Sequence, residues 1–471
     1  MARTKATLGS GVRLTDYLST SLLAWIYPAS LISQLLDKHG CNSQRQRSLP
    51  ATAGVYYCMA LSLYPEAAYG GVFDAVAQGL AWQSRSQVPE RIKASSISRA
   101  RTRLSWPVFK ELQERACQPL AQATSCPSAF YRGLRLMAID GSNFEVPDEP
   151  ANVAAFGYPG SRTGVAGYPQ AQCAILVECA THAVVGANIG PYRDAEWTVA
   201  KPLLARLDES MLCLADRGFD GYEHWCAARA TGAHLLWRCA ANRQLPVLKA
   251  LPNGSFISRL LPGKELTRRS STALAAAVRV IEYTLPSTNG EHTRYRLLTS
   301  LLEPAQAPAL ELAAIYHERW EVESVFDELK THLHQGRRVL RSKTPELVRQ
   351  EFYSWVLAHY AVRWLMHAAG SRQDVEPRQL SFVANVQHLK QQQIQSGAFP
   401  PGAAQTAQVL FEQVLVKAAF LRCASSRGQT NPRRVKRRNS PYPSHDRSQP
   451  INRSQIFRPE LLPPLELPKR K

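Results

Sequence analysis

The chain has 471 residues, more than one small core needs, so two to four domains are expected. Its 57 Lys and Arg against 37 Asp and Glu leave a formal net charge of +20, which favours DNA or RNA as partner. No run approaches the roughly 18 apolar residues of a membrane span, and the start (MARTKATLGSGVRLTDY) lacks the apolar core of a signal peptide. Ten cysteines stand singly between Cys41 and Cys423 with no Cys-x-x-Cys pair, which argues against a zinc finger and suits a reducing, cytoplasmic setting.

Residues 12–125 read as a helical domain. LLAWIYPASLISQLLDKHG, LPATAGVYYCMALSLY and GGVFDAVAQGLAW are apolar at helical spacing. ASSISRARTRLSWPVFKELQERA reads as a short turn into a basic helix with Ser96 or Ser98 as N-cap. Arg99, Arg101 and Arg103 give it a positive edge. DNA binding and a packing or dimerisation role both fit such a module.

From about residue 130 to 243 the pattern turns α/β. LRLMAID (134–140) is an apolar run ending on an acid, and QCAILVECA (172–180) with AVVGANIG (183–190) makes two more strands. A helix over about 195–208 follows, then the strand MLCLA (211–215) closed by Asp216, a helix near 221–231 and the strand HLLWRC (234–239). Residues 244–300 hold Pro, Gly and Ser clusters between alternating segments, a β-rich insertion. Helix resumes from about 308 to 334 and over 345–369, so 301–370 completes the α/β unit. Further helices near 376–396 and 404–424 form a C-terminal helical region, 371–424.

Residues 425–471 are rich in Pro, Arg and Ser, too poor in apolar residues to fold alone, and hold 12 Lys and Arg against three acids. The run NPRRVKRR suits contact with a phosphate backbone, although a solvated tail has the same composition.

Three acids stand apart. Asp140 and Asp216 close buried strands where the chain turns out at Gly141 and at Arg217-Gly218, the edge of an open sheet where ligands collect. The third, Glu323, lies in YHERWEVESVFDELK (316–330). Wound at about 100° per residue, this stretch puts Tyr316, Arg319, Glu323 and Lys330 within roughly 60° of one another. Ile315, Val322, Phe326, Leu329 and Leu333 form the apolar stripe beside them. Three converging carboxylates repel unless divalent cations bind them, and paired Mg²⁺ ions so held suit phosphodiester chemistry. His332 and His334, two residues apart, point to different helix faces and read as surface histidines. Trp320 reads as packed beside the active face, and Arg217 as a turn anchor.

The spacing Tyr-x2-Arg-x3-Glu-x6-Lys of Tyr316, Arg319, Glu323 and Lys330 resembles the signature of insertion sequence 4 family transposases. IDGS around Asp140 and ADRGF around Asp216 resemble that family's contexts for its two aspartates, and ARTRL (100–104) its helical N-terminal domain. The resemblance implies a ribonuclease-H-like mixed sheet with flanking helices and a β-rich insertion, preceded by a helical DNA-binding domain. It implies that Asp140, Asp216 and Glu323 are catalytic and hold two Mg²⁺ ions, or Mn²⁺ in their place, while Tyr316, Arg319 and Lys330 bind DNA phosphates. The expected activity is cleavage of the ends of an insertion sequence and their transfer to target DNA. The expected partners are double-stranded DNA (terminal inverted repeats and target) and, in a synaptic complex, at least a second copy. Where relatives excise through a DNA hairpin, an insertion aromatic stacks a flipped base; 244–300 has no Trp, which leaves Tyr283 and Tyr295. A DNA-binding protein of this fold without turnover, or a nuclease without strand transfer, are the competing readings.

Overall fold

The structure, a computed structural model, describes residues 22–43, 49–73, 93–160, 167–262, 275–286, 292–334, 339–388, 404–423 and 460–461. Most of GGVFDAVAQGLAW, the NPRRVKRR run and the end of the helix expected over 376–396 lie outside them.

The N-terminal part is helical, as α1 (Leu22–Ile26), α2 (Ala29–Lys38), α3 (Ala51–Leu63), α4 (Ala94–Arg103) and α5 (Trp106–Ala116). Pro28 separates α1 from α2, because its ring cannot continue a helix interior. Ser96 and Ser98 are not N-caps; they lie within α4, and the next helix starts after Ser105. Arg101 is not on a positive edge either. It is buried, with Nε donating to Gln350 Oε1 at 3.1 Å and Nη2 to Ser342 Oγ at 3.1 Å. A guanidinium so far from water must be matched by acceptors, and these lie some 240 residues down the chain.

One mixed sheet carries the strands, with an antiparallel meander at one edge and the insertion at the other. The strands β2 (Leu134–Glu145), β3 (Gln170–Glu178) and β4 (Val184–Pro191) form an antiparallel meander, while β5 (Met211–Ala215) and β6 (His234–Arg238) run parallel to β2. Parallel neighbours need a crossover. α6 (Pro150–Phe156) lies between β2 and β3, α7 (Glu196–Ala200) precedes β5, and α8 (Tyr222–Arg229) joins β5 to β6. Three antiparallel strands, then two parallel to the first with helices between, is the ribonuclease-H-like arrangement expected from the sequence. The helix expected over 195–208 is shorter, giving way at Lys201–Arg206 to a 3₁₀ turn that contains Pro202.

The insertion extends this sheet. β7 (Lys249–Ala250), β8 (Phe256–Leu260), β9 (Ala276–Pro286) and β10 (His292–Thr299) join it through β10, whose Leu298 pairs with Trp237 of β6. β1 (Phe130–Tyr131) pairs with β2, and β11 (Glu460–Leu461), from the expected tail, pairs with β9.

The segment 309–333 is helical in four pieces: α9 (Ala309–Tyr316), a 3₁₀ turn over His317–Arg319, α10 (Trp320–Asp327) and a π segment over Glu328–Leu333. α11 (Pro345–Arg372) is the longest helix among the described residues, begun by Thr344, whose side chain accepts from Leu347 N–H, and by Pro345. It packs against α3, α5, β4 and α12 (Ala404–Phe420). One continuous apolar core therefore runs from Leu23 through the sheet to Ala419. Among the described residues, no helix is long and apolar enough to cross a membrane.

Candidate active site

β2 and β5 fix the first two acids. Their last registered pair is Ile139 and Ala215, and Asp140 and Asp216 are the next residue along each of the two chains. The two then diverge. Asp216 leaves the sheet and caps a 3₁₀ turn, accepting Gly218 N–H at 2.7 Å. Asp140 does not end its strand, contrary to the sequence reading. β2 runs on to Glu145 because β3 pairs with it beyond the point where β5 stops.

Asp140 is only 15 % exposed at its side chain, and its carboxyl is pushed up to about 7. Burial is the main cause; Asp216 and Glu196 add to it, while Arg319 and the Gly141 N–H oppose it. Arg319 comes from the 3₁₀ turn, 7 % exposed. Its Nη1 donates to Asp140 Oδ2 at 3.1 Å and its Nη2 to Glu323 Oε1, on α10, at 2.9 Å. One guanidinium thus bridges an acid of the sheet and an acid of the helix. Its Nε–H is buried without a hydrogen-bond partner among the described residues.

Tyr316 is 2 % exposed at the end of α9, its phenol pushed up mainly by burial and placed beside Arg319. Lys330, in the π segment, donates to Ser142 Oγ and lies 5.0 Å from the centre of the Phe144 ring. Its pKa is lowered by burial. The four signature residues therefore sit at two depths: Tyr316 and Arg319 inside, Glu323 and Lys330 nearer solvent. Trp320 is 41 % exposed with the Arg319 guanidinium over its ring.

Three expectations do not hold. His334 is buried against Trp355, its ring centre 4.2 Å away, and is no surface histidine, whereas His332 is exposed as expected and pairs with Asp327 at 3.3 Å. Tyr283 offers no face to a flipped base, being fully buried, stacked on Tyr295 and hydrogen-bonded to His317. Tyr295 is covered by Tyr283 and by the Arg238 guanidinium.

As these side chains stand, no three acidic, His or Cys groups among the described residues close around a metal position. Arg319 occupies the space between Asp140 and Glu323. The donor set nevertheless fits a hard divalent cation, being all carboxylate oxygen. Burial does most to raise the Asp140 carboxyl, and the neighbouring Asp216 and Glu196 add to it, so a cation bound there would relieve a like-charge cluster as well.

A carboxylate the sequence reading passed over lies here too. Glu196 opens α7 and stands against Gly141 and Gly218, the glycines beside the two aspartates. Its signal in the sequence is indirect: an acid at the start of the helix between the third and fourth core strands.

Two family models and two curated relatives match the chain. The family model described as "Transposase DDE domain" matches residues 131–361, and "Insertion element 4 transposase N-terminal" matches 18–114. The transposase InsG of insertion sequence element IS4 from Escherichia coli K12 is 26 % identical over 428 residues, 90 % of this chain and 93 % of that protein. The chain belongs to the insertion sequence 4 family of DDE transposases. The putative transposase InsZ, also from E. coli K12, is 28 % identical over 108 residues, 23 % of this transposase and 36 % of InsZ. A cryo-EM structure of a piggyBac transposase synaptic complex with hairpin DNA covers 83 % of the chain and 84 % of its own, with 9 % identity and a TM-score of 0.41. That likeness is too low to carry residue roles.

Proposed function

We propose that this DNA transposase binds the ends of its insertion sequence, cleaves them and joins them to target DNA, with Asp140, Asp216 and Glu323 as its catalytic carboxylates and Mg²⁺, or Mn²⁺, as cofactor. What supports this is the bridge made by Arg319 between Asp140 and Glu323, with Asp216 just past the end of the strand next to that of Asp140. Two strands and one helix, distant in sequence, meet there. Bound at this set, divalent cations supply Lewis-acid activation of a water or 3′-hydroxyl and stabilise the leaving oxygen.

The protein's own residues do the rest. Asp140 and Asp216 are set by strand register, so their separation changes little when DNA arrives. Arg319 neutralises the site while it waits. Released from the two carboxylates, its planar guanidinium would be free to turn to a phosphate, which it can grip through two N–H groups. Lys330 brings a second positive charge to the same side through Ser142. Tyr316, buried beneath, holds Arg319 in place, and a direct phosphate contact needs its hydroxyl uncovered first. The steps are hydrolysis, in which water attacks phosphorus and the strand's 3′-hydroxyl leaves, and transfer, in which that hydroxyl attacks a target phosphodiester. Joining two ends calls for at least two copies in the synaptic complex, assembled in the cytoplasm on the nucleoid.

The test uses the full chain and a plasmid carrying the terminal repeats that flank the gene. Glu323→Gln should abolish nicking in Mg²⁺ and in Mn²⁺ while end binding stays within about tenfold of wild type, since no phosphate contact is lost. Cleavage at the wild-type rate by this variant would overturn the assignment.

A further inference from the structure

Glu196 is built into the site by two absences. A β-carbon placed on Gly141 would fall 2.8 Å from Glu196 Cδ and closer still to its Oε1, so the carboxylate would have to leave its present position. One placed on Gly218 would stand 3.0 Å from Glu196 Oε2 and 3.0 Å from Asp216 Oδ1. Neither glycine has the positive φ that would itself call for glycine. Each is preceded within two residues by one of the two sheet aspartates, and each leaves room for the same carboxylate. Space for Glu196 is therefore what Asp-Gly at 140–141 and Asp-Arg-Gly at 216–218 have in common.

The charge balance points the same way. Arg319 pairs with Asp140 and Glu323. Among the described residues, no ion pair engages either Asp216 or Glu196, although Glu196 is half-buried against Gly141 and Gly218. Its helix is also firmly placed. Trp197 stacks on His224 at 4.0 Å, and Asn188 Nδ2 donates to Val199 O at 2.9 Å. A carboxylate held on a pinned element, without a cation of its own and beside an aspartate, has the geometry of a metal-site residue.

We infer that Glu196 is a fourth acidic residue of the catalytic site and binds the divalent cation between the sheet aspartates, Asp140 and Asp216, which extends the carboxylate site proposed above. Glu196→Gln keeps the shape of the side chain and its contact with Gly141 but removes the charge. Titrating Mn²⁺ into the full-length protein without DNA, by calorimetry or by the electron paramagnetic resonance of free Mn²⁺, should show affinity at least tenfold weaker in Glu196→Gln than in wild type. Asp216→Asn, run alongside, should show a comparable loss. Wild-type affinity in Glu196→Gln with loss in Asp216→Asn would overturn the role of Glu196 and leave the proposed function standing. Wild-type affinity in both would overturn the carboxylate site itself. If Glu196→Gln does not fold, Gly141→Ala carries the test, because it pushes the Glu196 carboxylate aside without changing any acid; unchanged Mn²⁺ affinity there would equally overturn the inference.

Discussion

Asp140 is a carboxyl held near neutrality in the folded protein, about 7 against an ordinary value near 4. Its folded-state pKa is raised, so the folded form holds the proton more tightly than the unfolded chain does. The stability this gives is complete below pH 4 and is lost as pH rises through 7. A gap of this size corresponds to at most about 4 kcal/mol. In EDTA, denaturant unfolding of the wild type should show stability falling between pH 5 and pH 8, and Asp140→Asn should flatten that fall. Parallel slopes for the two proteins would show that the charge strain lies elsewhere. Cations should abolish the slope as well, since they offset the same carboxylates.

The signature segment is held from behind as well as filled from the front. Glu328, the first residue of the π segment, is buried and accepts from Arg363 Nε at 3.0 Å on α11, pairs with His359 Nε2 at 2.8 Å, and with His182 Nδ1 at 3.0 Å at the β3–β4 turn. Burial holds His359 down, to about 3, so it stays neutral and Arg363 is the cation that matters. Removing the acid would take from that buried arginine its carboxylate partner. Glu328→Ala should therefore lower unfolding stability by about 3–5 kcal/mol, read as a shifted denaturant midpoint with an unchanged slope. This arrangement also explains what periodicity could and could not reveal. A regular helix puts Tyr316, Arg319, Glu323 and Lys330 on one face, and the tightened 3₁₀ turn and the widened π segment depart from that path in opposite senses. The residue spacing was legible because it is local. The π segment was not, because Glu328 is fixed by partners on α11 and at the β3–β4 turn. Asp140 looked terminal for the same kind of reason: only the pairing with β3 shows that its strand continues. Arg101 looked like a surface cation because its acceptors lie in another part of the chain. Glu196 depends on glycines from two strands at once, a coincidence no single window of sequence displays.

Across the whole molecule, charge and core are distributed differently. The apolar core is shared from α1 to α12, so the N-terminal helices are packed onto the catalytic unit by way of α11. The positive charge is concentrated at the C-terminal end, where residues 425–471 hold 12 Lys and Arg against three acids, in a chain whose net charge is +20. Each phosphate neutralised by a cation releases counterions and steepens the salt dependence of binding by about 0.9 per contact. Neutralising Arg433, Arg434, Lys436, Arg437 and Arg438 together, each to Gln, leaves the pairing of Glu460–Leu461 with β9 in place and removes only the compact run. If this run lies on the backbone, the slope of log K against log salt for duplex DNA should fall by roughly 2 to 4. Affinity for repeat-bearing and unrelated duplexes should drop by the same factor, because phosphate contacts carry no sequence information. A slope unchanged by all five substitutions would make the tail a bystander and shift the electrostatic footprint to the exposed arginines of α4, Arg99 and Arg103. A drop confined to repeat-bearing DNA would instead mean that the run reads base edges, which its flat charge density does not lead one to expect.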